Sequence, residues 1–398
     1  MQTYISEKAK AIMPSPTLSL DAKYKQMQKD GIPVVGFGAG EPDFNTPDNI
    51  KMAAVKAIEN NITKYTPASG TIELKKAICQ KFKNDHGLEY GIENIVVSNG
   101  GKHSLTNIFM AICEEGDEVI IPSPFWVSYP EMVKLAGGVP KFLETTEEND
   151  FKFSSAELEA FITDKTRALV LNTPSNPTGM VYDEETLAEI AKIAVKHNIY
   201  VIMDEIYEKL VYEGTHKNIA TFGEDIKDLT ITVNGMAKAY AMTGWRIGFT
   251  ASNAAVAKAM SNIQSHATSN PNSIAQAASV EALLGDQSSI DVMRAEYIKR
   301  RDYMVERINL IDGISCRKPN GAFYIFMNVR ELLKTEHYGK KFNSASELCD
   351  DILERALVAL VPSEGFGIEG YVRLSYATSM ENIIEGLDRI EKYIKNQY

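Results

Sequence analysis

The chain has 398 residues, a formal net charge of −11, 44% hydrophobic residues and 24% charged residues. That length exceeds one compact core and predicts two domains, the apolar fraction is that of a globular protein, and the acidity repels nucleic-acid phosphates. No run approaches the roughly 18 apolar residues a membrane span needs, and the amino terminus, with Glu7, Lys8 and Lys10, has no apolar core of the kind a secretory signal carries. Cys79, Cys113, Cys316 and Cys349 are scattered without metal-ligand spacing and read as reduced thiols of a cytoplasmic protein, with no metal site expected.

In chain order, the first distinctive segments are Gly38-Ala39-Gly40-Glu41-Pro42-Asp43-Phe44 and Lys64-Tyr65-Thr66-Pro67-Ala68-Ser69-Gly70. From about residue 46 to 284, apolar strands alternate with amphipathic helices, the pattern of a mostly parallel sheet covered on both faces. Asn94 to Ser98 reads as a strand, and Asn99-Gly100-Gly101-Lys102 opens a helix running to about Cys113. Glycines at a helix start let backbone N–H groups approach an anion, which the helix dipole favours. Pro124-Phe125-Trp126-Val127-Ser128-Tyr129 holds one of only two tryptophans.

Arg167 to Leu171 is the next apolar run, ending in Asn172-Thr173-Pro174-Ser175-Asn176-Pro177-Thr178-Gly179, a loop fixed by two prolines. Asp183 caps a helix through His197 with Leu187, Ile190, Ala191 and Ala194 on one face. Ile199 to Met203 then leads into Asp204-Glu205-Ile206-Tyr207, and Leu229 to Val233 into the run from Asn234 to Gly248 that carries Lys238 and Arg246. An acid at the carboxyl end of a parallel strand points into the crevice where open α/β sheets bind ligands. A lysine in an apolar run loses water, its pKa falls, and its amine attacks carbonyls. Three strand ends thus bring an amide, a carboxylate and an amine to one side of a sheet. Beyond a long charged helix from Ser288 to Leu310 come Gly321 to Phe326, a helix near Ser346 to Ala356, and Tyr371 to Tyr376, where Arg373 sits in an apolar alternating segment that makes an unpaired guanidinium costly.

Together and in this order, these segments resemble the class I aminotransferases, pyridoxal-phosphate enzymes of fold type I, over essentially the whole chain. The resemblance implies a three-layer α/β/α large domain over 46–284, a small α+β domain from 1–45 and 285–398, and a homodimer with shared active sites. It implies that Lys238 forms a Schiff base with pyridoxal 5'-phosphate, that Asp204 pairs with the ring nitrogen, and that Asn176 and Tyr207 donate to the ring's phenolic oxygen. Trp126 stacks on the ring; Arg246, the Gly100-Gly101-Lys102 turn and Tyr65 of a second subunit take the phosphate; Arg373 takes the substrate α-carboxylate, with Gly40, Asn176 and Trp126 also binding the substrate. Relatives often place serine or threonine just before the lysine as phosphate ligands, where this chain has Gly235 and Ala237.

For the substrate side chain, dicarboxylate-specific relatives use a neighbouring-subunit arginine five residues before the asparagine of a Ser-Asn-Pro triplet; here that position is Ser265. A bacterial and archaeal branch of aspartate aminotransferases, which uses a lysine after the paired glycines and a threonine near the amino terminus, is closer: Lys102 and Thr17 match. Members that also take prephenate tend to have a basic residue before Pro-Ser, and Met13 stands there. The expectation is an aspartate aminotransferase passing its amino group to 2-oxoglutarate by a ping-pong route. An aromatic or alanine aminotransferase, a β-lyase of the same fold and a non-catalytic regulator remain open at this point.

Overall fold

The computed structural model describes residues 4–14 and 16–398, without the side chains of 16–19 and 21. Its frame is a seven-stranded sheet. The strands in chain order are β1 (Ile95–Ser98), β2 (Glu118–Ser123), β3 (Val139–Glu144), β4 (Thr166–Asn172), β5 (Tyr200–Asp204), β6 (Thr230–Gly235) and β7 (Gly248–Ala251). Across the sheet they run β1-β7-β6-β5-β4-β2-β3, and only β7 is antiparallel to its neighbours.

The alternation of side chains along each strand explains the layering. Val119, Ile121, Ala168, Val170 and Ile202 face one core with Leu105, Ile108, Phe109 and Met132. Their neighbours Ile120, Leu169, Leu171, Val201 and Met203 face the opposite core with Leu187, Ile190, Ala191 and Ala194. Both faces are covered by helices, so the strands read as unbroken apolar runs. The helices that matter below are α1 (Asp48–Glu59), α2 (Ile72–His86), α3 (Gly101–Ile112), α4 (Glu184–His197) and α5 (Ser288–Asn309). Asp183 caps α4 by accepting from the Thr186 N–H, and its Leu187, Ile190, Ala191 and Ala194 are buried.

A separate core gathers Val35 and Phe37 with residues from α5 to the carboxyl terminus, among them Tyr297, Phe323, Ile352, Leu374 and Leu387. There an antiparallel sheet runs Val361–Pro362, Tyr371–Ser375, Tyr324–Asn328, Ser315–Cys316. Val35 and Gly36 pair in parallel with Val358 and Ala359, which stitches the amino-terminal segment to the carboxyl-terminal one. No helix among the described residues is long and apolar enough to cross a membrane.

Sheet closure on the β1 side sets a tight constraint. A Cβ on Gly248 would lie 2.4 Å from both the Gly100 carbonyl carbon and the Gly101 nitrogen, so β7 presses directly on the start of α3. Gly248→Ala is expected to lower stability by about 1–3 kcal/mol through overpacking. Gly244→Ala, which meets nothing within 4 Å, should leave it nearly unchanged; urea unfolding midpoints of the two variants check this.

Candidate active site

The carboxyl ends of β4, β5 and β6 lie side by side, with Asn172 registered on Asp204 and Asp204 on Val233. This row faces a crevice of about 480 Å³ lined by residues from both cores, including Gly38, Gly40, Gly101, Lys102, Trp126, Tyr129, Asn176, Asp204, Tyr207, Lys238, Arg246, Tyr324 and Arg373. Residues more than 330 positions apart in sequence therefore share one cavity, as Arg373 Nη2 shows by donating to the Gly38 carbonyl at 3.1 Å.

Asp204 is 4% exposed. Its Oδ2 accepts from the Tyr129 hydroxyl at 2.7 Å and its Oδ1 from the Ile206 N–H at 3.2 Å, while Asn172 Nδ2 donates to its main-chain carbonyl at 3.0 Å. Burial pushes its carboxyl up to about 6, against the two hydrogen bonds that favour the ionised form. No ammonium or guanidinium pairs with it among the described residues, so the site suits a cationic ring nitrogen.

Lys238 lies three residues beyond β6 and its Nζ donates to the Gly40 carbonyl. The rings of Tyr207 and Phe323 stand 5.8 Å and 5.6 Å away. Although the amine opens on the crevice, protein surrounds its other sides, and burial pulls it down to about 8. At neutral pH a usable fraction is the free amine that attacks a carbonyl or takes a proton.

Arg373 is 2% exposed. Its Nη1 donates to Asn176 Oδ1 at 2.9 Å, and its guanidinium lies 4.4 Å from the Tyr324 ring and 5.2 Å from the Phe366 ring. All these partners are neutral, no carboxylate among the described residues pairs with it, and its buried Nε has no hydrogen-bond partner. Burial lowers its pKa, with no anion to offset the cost. A ligand carboxylate, held by two parallel N–H···O bonds, answers both needs. Because Asn176 spends its Oδ1 on Arg373 and its N–H on Asn172 Oδ1 at 2.8 Å, its Nδ2 is the group left to donate into the crevice. The hydroxyls of Tyr207 and Tyr324 share a hydrogen bond of 2.8 Å.

On the opposite wall, the Arg246 guanidinium donates only to carbonyls, Thr243 at 3.0 Å and Asn99 at 3.4 Å. Its backbone is left-handed at φ 58°, a conformation non-glycine residues adopt at a cost. Lys102 Nζ stands 5.0 Å over the Trp126 ring, and burial together with Arg246 lowers its pKa. Two cations and the start of α3, where Gly100 supplies no capping side chain, make this wall an anion site.

The remaining expected positions fall as follows. Gly100 does not line the crevice: its φ of +86° starts α3, and a Cβ there would meet Arg246 Nη2 at 2.4 Å, so it makes room for the arginine. Gly235 stands 2.7 Å by its would-be Cβ from the Ile247 carbonyl, so β7 excludes a serine where relatives carry a phosphate ligand. Tyr65 is 92% exposed and meets no part of this chain's crevice. The Thr17 side chain lies outside the described residues. Sequence reasoning missed Tyr129, which holds Asp204, and Tyr324, which contacts both Tyr207 and Arg373. Tyr129 sits in the segment that carries Trp126 and Tyr324 in the run Gly321 to Phe326, and nothing in their spacing marks them.

A family model described as aminotransferase class I and II matches residues 32–390. The chain belongs to that family. It is 47% identical to an aspartate aminotransferase of Bacillus sp. (strain YM-2) over 99% of this chain and 100% of the relative. It is 46% identical to an aspartate/prephenate aminotransferase of Nitrosomonas europaea over 97% of this chain and 98% of the relative. Among solved structures, an aspartate aminotransferase from Thermus thermophilus with maleate superposes at a TM-score of 0.93, at 41% identity, covering 98% of this chain and 100% of the other. This aminotransferase thus has the family's fold over 98% of its length.

The buried carboxylate of this aminotransferase gives a pH test on the chain alone. Between the ordinary carboxylate value and about 6, folded Asp204 holds a proton that the unfolded chain has released, so folding loses stability as pH rises through that window. Asp204→Asn removes the deficit. It should be more stable than the parent above pH 6 by on the order of 3 kcal/mol, with the gain vanishing near pH 4. Denaturation with urea across pH 4–8, without added small molecules, measures it.

Proposed function

We propose that this chain is an aspartate aminotransferase working with pyridoxal 5'-phosphate and passing the amino group to 2-oxoglutarate. The observation that carries the reading is Arg373: a buried guanidinium with only neutral partners, in the same crevice as an amine whose pKa is lowered to about 8 and a buried carboxylate that lacks a paired cation among the described residues. When bound, the cofactor supplies an aldehyde that takes up amino groups and a protonated ring that stabilises negative charge at the substrate α-carbon.

The residues present fit it. Lys238 would hold its aldehyde carbon, Asp204 its ring nitrogen, and Asn176 and Tyr207 its phenolic oxygen. Trp126 would cover the ring. Arg246, the N–H groups of Gly101 and Lys102, and the partner subunit's Tyr65 would bind the phosphate. Arg373 fixes the substrate α-carboxylate beside the Gly40 carbonyl, which orients the α-hydrogen toward Lys238. Once free, the Lys238 amine carries that proton. Its pKa near 8 lets it accept and return the proton at neutral pH. Lys102, with Thr17, reads the distal carboxylate of aspartate. The maleate bound by the Thermus relative is likewise a dicarboxylate. Two half-reactions at one site give ping-pong kinetics.

Mixing purified enzyme with aspartate, glutamate, alanine and phenylalanine separately, and following the cofactor spectrum, tests the reading. Aspartate should react fastest, and Lys238→Ala should abolish turnover. Lys102→Ala should cut kcat/KM for aspartate about ten- to a hundredfold more than for alanine, the size of one charged hydrogen bond. Equal losses would remove Lys102 from substrate recognition.

A homodimer belongs to the proposal, since Tyr65 is exposed and does not line its own crevice. Met52, Val55 and Ile58 form an exposed apolar stripe on α1, continued by Ile62. We assign this surface to the partner subunit. Ile58→Glu should shift the enzyme toward monomer in sedimentation and lower activity, because the phosphate loses a ligand. We also take 46–284 as the cofactor-binding domain, 1–45 with 285–398 as the substrate-closing one, and the cytoplasm as the location, in keeping with four free cysteines.

A further inference from the structure

Behind the crevice, the strand end that supplies Asp204 and Tyr207 turns two other side chains the opposite way. Glu205 is fully buried and Glu208 is 8% exposed. They meet His86, the last residue of α2, and His216, from the loop after Tyr212. One donor atom from each of these four residues lies within 4.8 Å of all the others. We propose that His86, Glu205, Glu208 and His216 form a binding site for a divalent transition-metal cation of the zinc type.

The inner atoms are aimed correctly. His86 Nε2 stands 3.0 Å from Glu208 Oε2 and 3.7 Å from Glu205 Oε2, and His216 Nε2 stands 2.6 Å from Glu205 Oε1. Both carboxylates are also held by groups outside the cluster. Lys81 Nζ grips Glu208 Oε1 at 2.5 Å, and Asn218 Nδ2 donates to Glu205 Oε1 at 2.9 Å. Glu205 Oε2 is left buried with no hydrogen-bond partner, 3.7 Å from His86 Nε2. Two imidazoles and two carboxylates are a zinc donor set, and tetrahedral bonds of about 2.0–2.1 Å put donors about 3.4 Å apart, within reach of small shifts here. Outer hydrogen bonds of this kind fix ligand orientation in metal sites.

Charge points the same way. Glu205, Glu208 and Asp85 carry three negative charges, while Lys81 pairs with Glu208 and with Asp85 at 3.1 Å, and Lys209 pairs with Asp85 at 2.8 Å. Two ammonium groups against three carboxylates leave one positive charge to be supplied, by a proton on His86, whose pKa burial lowers but Glu208 and Glu205 raise overall, or by a cation between the imidazoles that displaces that proton. With four protein donors the site is closed, so the ion acts as a clamp. It ties the end of α2 to the segment that presents Asp204 and Tyr207, and it has no open position for substrate.

The test uses tag-free holoenzyme, stripped with a chelator and dialysed against zinc ions alone, with bound zinc counted by atomic emission. One zinc per chain is expected, together with a raised melting temperature. His216→Gln, in a loop at the edge of the network, should lose both effects while keeping the fold. On the unmodified enzyme, cobalt substitution should give the intense visible bands of a four-coordinate site, a readout that needs no variant. Absence of zinc from the unmodified enzyme would overturn the proposal and leave a network closed by Lys81 and a protonated imidazole. Equal zinc content in His216→Gln would overturn it too, by placing the ion elsewhere.

Discussion

The structure depends on charges held out of water without counter-ions. Asp204, Lys238 and Arg373 stand in one crevice, and each costs the fold free energy as it stands. Burial sets all three shifts: the carboxyl goes up, the amine and the guanidinium go down. None is relieved by a neighbour of opposite charge in direct contact. Such a site is stable only inside a frame that cannot relax to pair them, and it favours a ligand bringing the missing charges.

That frame is the parallel sheet. Its register places Asn172 and Asp204 side by side, and the turn after β6 brings Lys238 back to the same edge. The hydrogen bonds from Tyr129 and Asn172 fix the Asp204 strand end at its side chain and at its backbone. The second core contributes the other half. Arg373 is on a central strand of the antiparallel sheet, paired with Phe326 on one side and Val361 on the other. Its hydrogen bonds to Asn176 and Gly38 join both cores at the cavity. An aminotransferase must bind two substrates in turn at one place, and a cleft between two packed bodies provides that place.

Much of this was legible along the chain. Apolar runs ending in Asn172, Asp204 and the Lys238 segment announce a strand edge with chemistry on it, because a parallel sheet buries everything except its ends. The cap at Asp183 and the apolar face of α4 were equally readable. Boundaries moved by one or two residues: the run Ile199 to Met203 became Tyr200–Asp204, which puts the carboxylate on the strand itself. The glycines at the start of α3 mark an anion cradle in the sequence, and the structure adds that Gly100 makes room for Arg246. Tyr129 and Tyr324 were invisible, since a tyrosine that braces a carboxylate or an arginine has no spacing of its own.

The sequence alone determined the α/β layering and the family, and it singles out the amine, the acid and the guanidinium as candidates. These follow from local patterns of hydrophobicity and from residue types that are rare in apolar runs. Only the tertiary structure decided which partners those groups lack, that Gly235 is forced by the Ile247 carbonyl, and that His86 and His216 converge on Glu205 and Glu208. Some of these relations join positions more than a hundred residues apart, such as His86 with Glu208, and others only a dozen, such as Gly235 with Ile247; in every case the distance is set by how helices and strands pack.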